Sequence, residues 1–313
     1  MTVTTRPAPI LRPKRKRTDD EARDRGILSV FDWHRRPVRV FMGFVHVFLF
    51  GGLAFAGLGP IIWLAKSAFT PTQDTISTPL LFFPNGASVD SIVRAWTEIH
   101  IDQYFLNTVI LAAGSWFVQL LVATTAGYAL SVLRPKYAFI LNGLVLATLF
   151  IPAIVLLVPL YLTILNPPLI GTSLLNNYLA VWLPAGANAF NILLVKRFFD
   201  NLPREVFEAA RTDGAGPFRL FWSIVLPMSK PILGVVSVFA IIASWKDYLW
   251  PMLVLPKAAI QPLSVRLPSM QNTIELDIFL AALAVSTIIP IVLFLAFQRV
   301  FLRSAGLGGA VKG

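Results

Sequence analysis

Two short polar islands in an otherwise apolar chain carry the residues whose types and spacing could do chemistry. The first is FEAARTDGAGPFRLFWSIVLPMSKP, residues 207–231. Here Glu208 offers a carboxylate to a partner's Arg or Lys, Ala209 and Ala210 are small enough for a partner's backbone to approach, and Gly214 can take a positive φ. The second is Lys246-Asp247, a charged pair inside a strongly apolar run. Charge within a bilayer is costly and marks function by default, so the pair and neighbouring Trp245 are candidate substrate or gating contacts, although a lysine can also snorkel to the interface. Neither island is a catalytic set. Cysteine is absent, His34, His46 and His100 are scattered, and no GxxxxGKS or GxxxxGKT string provides a P-loop. Metal and cofactor binding are therefore not expected, and any nucleotide energy must come from a partner.

The elements that position these islands must be membrane helices. Hydrophobic residues fill 56% of the 313 positions and charged residues 14%, far from the balance of a soluble domain. Crossing a bilayer as helix takes about 20 apolar residues. Six segments approach or exceed that length, at 40–64, 106–130, 139–165, 178–195, 232–255 and 278–302. The first is longer than a signal-peptide core and no small-residue cleavage site follows it, so it reads as a retained helix. Pro152 and Pro159 should kink the third by interrupting its hydrogen-bond ladder, which makes Pro152 a candidate for the lining of a pathway.

Charge orients the spans. Of the 27 Lys and Arg, 22 fall on the side of the two termini, the Arg134/Lys136 loop and the 196–231 loop; Lys66, Arg94, Lys257 and Arg266 fall on the other. The positive-inside rule then makes both termini cytoplasmic, and the first island with them. Eleven of the 27 precede Phe41 in a Pro-rich run poor in apolar residues. Residues 1–39 are accordingly expected to be a disordered cytoplasmic tail near anionic lipid, with no nucleic acid as partner, ahead of a transmembrane domain at 40–313. Outside lie a long first loop containing a short amphipathic helix at 91–96, an Asn/Pro/Gly loop at 166–177 and a Pro-containing loop at 256–277.

Within the cytoplasmic loop 197–231, Pro203 marks a helix start and Gly214 a stop. Val206, Phe207 and Ala210 share one side of that helix, while Arg204, Glu205, Glu208 and Arg211 are available for the other. Pro217 opens a second helix, which Leu226-Pro227 should break. On these grounds the helix-turn-helix is a packed cap, a docking surface or, against its position between spans, a DNA-binding element.

A resemblance narrows the choice. Glu208-Ala209-Ala210, Gly214 and Ile224-Val225-Leu226-Pro227 match at fixed offsets the EAA signature of importer permeases in ATP-binding cassette transporters. Phe105-Leu106-Asn107-Thr108, Ala126-Gly127-Tyr128-Ala129-Leu130, Ile151-Pro152, Val158-Pro159-Leu160-Tyr161, Ser244-Trp245, Leu249-Trp250-Pro251 and the glycine-rich end from Gly306 look like the MalG-like permeases of carbohydrate importers. The resemblance implies an all-α polytopic membrane protein with six transmembrane helices, the MetI-like importer permease fold and no catalysis of its own. It implies that Glu208, Ala209, Ala210, Asp213, Gly214, Ile224, Leu226 and Pro227 form the coupling loop that sits on a cytoplasmic ATPase. It also implies that Gly309, Val311 and Lys312 belong to a tail reaching that ATPase. The partners would be a second permease subunit, two ATP-binding subunits that hold ATP and Mg, and an extracytoplasmic sugar-binding protein. Many relatives carry Asn where this chain has Lys246. The rival readings are a proton-coupled secondary transporter, which would want carboxylates or histidines deep in several spans, and a membrane-embedded enzyme, which would want a nucleophile, base or metal cluster.

Overall fold

The computed structural model describes residues 36–83, 85–168 and 170–307; most of the basic tail and Gly309, Val311 and Lys312 lie outside them. The chain forms two compact units divided after Ile62. The division falls inside the first helix, α1 (Arg36–Ser67), whose 32 residues include Pro60 and are apolar enough to cross a bilayer. The predicted first span at 40–64 lies wholly within it.

The second unit begins at Trp63, whose indole N–H donates to the Pro79 carbonyl at 2.9 Å. Two short helices follow, α2 (Thr72–Ser77) and α3 (Asp90–Thr97), the latter covering the amphipathic segment at 91–96. Ser91 and Ala95 of α3 are buried, while Arg94 on its outer side bonds Glu98 at 2.8 Å and Glu275 at 2.7 Å. Asp277 ties the same region to the last helix. Its carboxylate accepts from Thr72 and Ser91, each at 2.8 Å.

Next comes α4 (Ile101–Leu133), a single helix whose last turn, Ala129–Leu133, is π-wound. The predicted third span is two helices, α5 (Ala138–Thr148) and α6 (Ala153–Leu165), bent by 102°. Pro152 is the cause: it is extended, with ψ 130°, and lacks the N–H that would continue the ladder. Pro159 produces no kink, contrary to expectation. It sits in the first turn of the α-helical part, Leu157–Leu165, where an N–H has no partner to lose. The fourth span is also divided, into α7 (Leu179–Ala185) and α8 (Ala189–Asp200), bent by 43° around Gly186. Asn188 restarts the helix, its side chain accepting from the Asn191 N–H at 2.9 Å. The predicted fifth span ends early: α11 (Lys230–Lys246) stops at Asp247, and α12 (Leu249–Val254) resumes. After α13 (Leu263–Met270) comes α14 (Leu276–Leu307), which exceeds the expected 278–302 at both ends. The cytoplasmic loop contributes α9 (Arg204–Thr212) and α10 (Pro217–Met228). Among the described residues every regular element is helical.

In this second unit α4 packs against α7, α8 and α11. Close approach explains Gly114: a Cβ there would lie 2.1 Å from the Trp182 indole, so the ring lies flat where a methyl would stand. One buried cluster joins α4, α8, α9, α10 and α11 through Tyr128, Val195, Phe207, Phe221 and Val236. The helix-turn-helix is therefore mounted on the spans that flank it.

Candidate functional site

The first site is the helix-turn-helix. Pro203 stands immediately before α9, at its cap position. The helix ends in two reversed bonds, Gly214 N–H to the Arg211 carbonyl at 3.0 Å and Ala215 N–H to the Ala210 carbonyl at 2.9 Å, with Gly214 at φ +75°. This is a Schellman termination, which needs a left-handed residue after the cap. Gly216 is extended and Pro217 occupies the first turn of α10, so two residues reset the chain direction. The Tyr128 hydroxyl donates to the Pro217 carbonyl at 2.8 Å, and the Tyr128 and Phe221 rings are centred 5.0 Å apart. The end of α4 thus fixes the start of α10.

The structure separates the EAA alanines. Glu208 and Ala209 are exposed, whereas Ala210 is buried beside Phe207 and Val225 in this chain's own core. Close approach by a partner is open to Ala209 and closed to Ala210, because a period-3.6 helix turns adjacent residues by about 100°. Asp213 is exposed at the turn, Ile224 and Leu226 are half-buried, and Pro227 is exposed. Pro227 does not end α10, as its type predicts. A π-turn at Phe221–Val225 precedes it, and the chain bends by 79° only after Met228, where the Ser229 hydroxyl donates to the Val225 carbonyl at 2.6 Å. A cavity of about 250 Å3 beside α9 is lined by Arg134, Asp200, Arg204, Glu208 and Arg211. Within it Asp200 accepts from Lys196 at 2.7 Å and from Ser131 at 2.8 Å. Among the described residues Glu208 is in no ion pair, so its carboxylate stays available.

The second site gathers around Asp247. A cavity of about 380 Å3 is lined by Ser115 and Gln119 of α4, Ala153 and Leu160 of α6, the α7–α8 bend including Asn188, Ser244 of α11, Asp247 and Trp250. Of the four residues expected on a pathway, Asp247 alone lines it. Lys246 is exposed and does not line it, and Pro152 acts one residue away by placing Ala153. Trp245 turns away: it is buried, its indole donates to the Ser286 carbonyl at 3.2 Å, and its ring meets Phe105 edge-on at 5.8 Å. That is packing between α11, α4 and α14. Ser115, Gln119 and Asn188 escaped the sequence reading, although a glutamine in the middle of an apolar span was a visible signal. Among the described residues there is no cluster of His or acidic side chains able to hold a metal.

The chain matches known proteins along most of its length. Residues 119–306 match the family model "Binding-protein-dependent transport system inner membrane component". The arabinooligosaccharides transport system permease protein AraQ of Halalkalibacterium halodurans is 32% identical over 84% of this chain and 94% of its own. The sn-glycerol-3-phosphate transport system permease protein UgpE of Salmonella typhi is 29% identical over 86% and 96%. A chain from the crystal structure of a bacterial ABC transporter involved in the import of the acidic polysaccharide alginate shares the fold, with a TM-score of 0.73, 22% identity and coverage of 85% and 98%. The EAA spacing, its folding into an outward-facing helix-turn-helix and these matches agree, and the chain belongs to the inner-membrane components of binding-protein-dependent transport systems.

Proposed function

We propose that this chain is the permease subunit of an ATP-driven sugar importer and forms half of its translocation pathway. The observation that carries the reading is the Schellman turn at Gly214, which holds α9 and α10 at a fixed angle with Glu208 and Ala209 outward. A rigid, charged and internally anchored projection can transmit movement from a partner to the spans that carry it, as a rigid-body switch. Six spans with both termini cytoplasmic place the projection on the ATPase side; the charge bias supports that orientation, and the bent pairs α5/α6 and α7/α8 with broken α11/α12 serve as single spans. Residues 1–39 form the cytoplasmic tail and 40–313 the permease domain.

The partners are a second permease subunit, two ATP-binding subunits that carry the ATP and Mg chemistry, and an extracytoplasmic binding protein; the chain also contacts membrane lipid. Gly309, Val311 and Lys312 contact the ATPase. Relatives whose names specify an oligosaccharide support a saccharide substrate. Deleting this chain in its host should abolish uptake of one radiolabelled sugar from a panel of arabinotriose, raffinose and diacetylchitobiose, with a soluble ATPase copurifying with the intact chain. Uptake of all three unchanged in the deletion strain, or uptake driven by a proton gradient without ATP, would overturn the reading.

A further inference from the structure

We propose that this subunit itself touches the transported molecule, through a facet of the cavity built by Ser115, Gln119, Asn188, Ser244, Asp247 and Trp250, and that the facet takes a neutral saccharide in preference to an anionic one. The inference rests on the importer reading above. Its first support is Ser115. Many helical hydroxyls in this chain donate to the carbonyl one turn back, as Thr108 does to Tyr104 and Ser237 to Leu233, each at 2.7 Å, although Ser67 at the end of α1 does not. Ser115 is 1% exposed, lines the cavity and makes no such bond. A buried donor left free costs stability unless a ligand or water satisfies it.

Its neighbours add a matched set. Gln119 lies one turn further along α4 and is buried; its carbonyl accepts from Asn191 at 2.8 Å, which leaves its amide N–H groups for the cavity. Asn188 uses its carbonyl to cap α8 and likewise keeps its amide N–H groups free of that bond. Asp247 shares the lining with these donors; its carboxylate accepts the Trp250 backbone N–H and retains further acceptor capacity. Sugar hydroxyls both donate and accept, so a lining that combines amide donors with a carboxylate suits them. Trp250 supplies the apolar surface: its indole N–H is held by the Ala180 carbonyl at 3.0 Å, which fixes the ring against the cavity for the C–H face of a pyranose. The volume falls toward the small end of ligand sites and has room for one or two sugar rings. Asp247 is the one ionisable residue in the lining, so a uronate or phosphate would meet like charge in a partly desolvated space.

The test uses the complete transporter in its host, with a radiolabelled neutral oligosaccharide that depends on this chain for uptake. Gln119→Ala and Asp247→Asn should each raise the uptake KM about ten-fold, the size of one charge-assisted or buried hydrogen bond, while the maximal rate falls less. Ser244→Ala, which leaves the Gln119–Asn191 bond intact, should raise KM in the same direction. Asp247→Asn should also narrow the preference for that sugar over digalacturonate. Unchanged KM in all three variants overturns the proposal and leaves the importer reading standing. A fall in maximal rate at constant KM, or loss of ATPase copurification in all three, also overturns it, because the facet would then serve helix packing or movement. Wild-type cells whose uptake does not depend on this chain would instead defeat the importer reading.

Discussion

Gly214 carries the turn between α9 and α10 through its backbone, since no heavy atom lies within 4 Å of the position a Cβ would take and the difficulty of a side chain there is its φ of +75° alone. Gly214→Ala should therefore cost about 1–2 kcal/mol locally and leave the core intact. Hydrogen exchange should report it as roughly a five- to thirty-fold loss of protection at the Ala215 amide, with the Val195 amide unaffected. Gly114 works by the opposite physics. Gly114→Ala drives a methyl into the Trp182 indole, and overpacking of this kind costs about 1–3 kcal/mol. The solubilised protein should melt at a lower temperature, with recovery when Trp182→Leu is added. Glu208 and Gly214 were legible in the sequence because a charge at a fixed offset from a left-handed glycine is a local pattern. The inward side of Ala210 was legible too, since helical spacing sets it beside Phe207, but the packing role of Trp245 was not, because it depends on Phe105 and Ser286, and sequence spacing does not specify those neighbours.

Among the helices, continuous spans such as α4 were legible from apolar length, and the break at Pro152 from proline chemistry. The break at Asp247 and the bend at Gly186 were not foreseen, because each lies in a run whose composition alone satisfies a full span. These interruptions expose polar backbone and side chains beside a cavity, where non-helical structure is tolerated in a membrane. The join between α4 and α10 gives a prediction at this scale. Tyr128→Phe removes the bond to the Pro217 carbonyl and should lower stability by about 1 kcal/mol while sparing the ring contact with Phe221. Thermal melting of the variant beside wild type measures it. The link from α3 to the start of α14 is pH-dependent. The hydrogen bond from Arg94, and then its charge, hold the Glu275 carboxyl below its ordinary 4.5. A depressed folded pKa means that the link stabilises above 4.5 and is lost as pH falls through the lower folded value. A carboxyl-resolved NMR titration should place the Glu275 midpoint below 4.5, and Arg94→Gln should return it to that range.

For the whole molecule, the fold and the matches assign the chain to importer permeases, while the proposed ATPase partner is argued from what the chain presents. It carries no P-loop, yet it presents an anchored, charged helix-turn-helix whose Glu208 is unpaired among the described residues. The most direct test is ATP hydrolysis by the purified complete transporter, stimulated by its loaded binding protein, with Glu208→Ala and Gly214→Ala in this chain. Both variants should retain the second permease subunit but lose most of the stimulated ATPase activity and sugar uptake. Full stimulation and uptake in both variants would contradict this, since the 207–231 loop would then be a cap on the helix bundle.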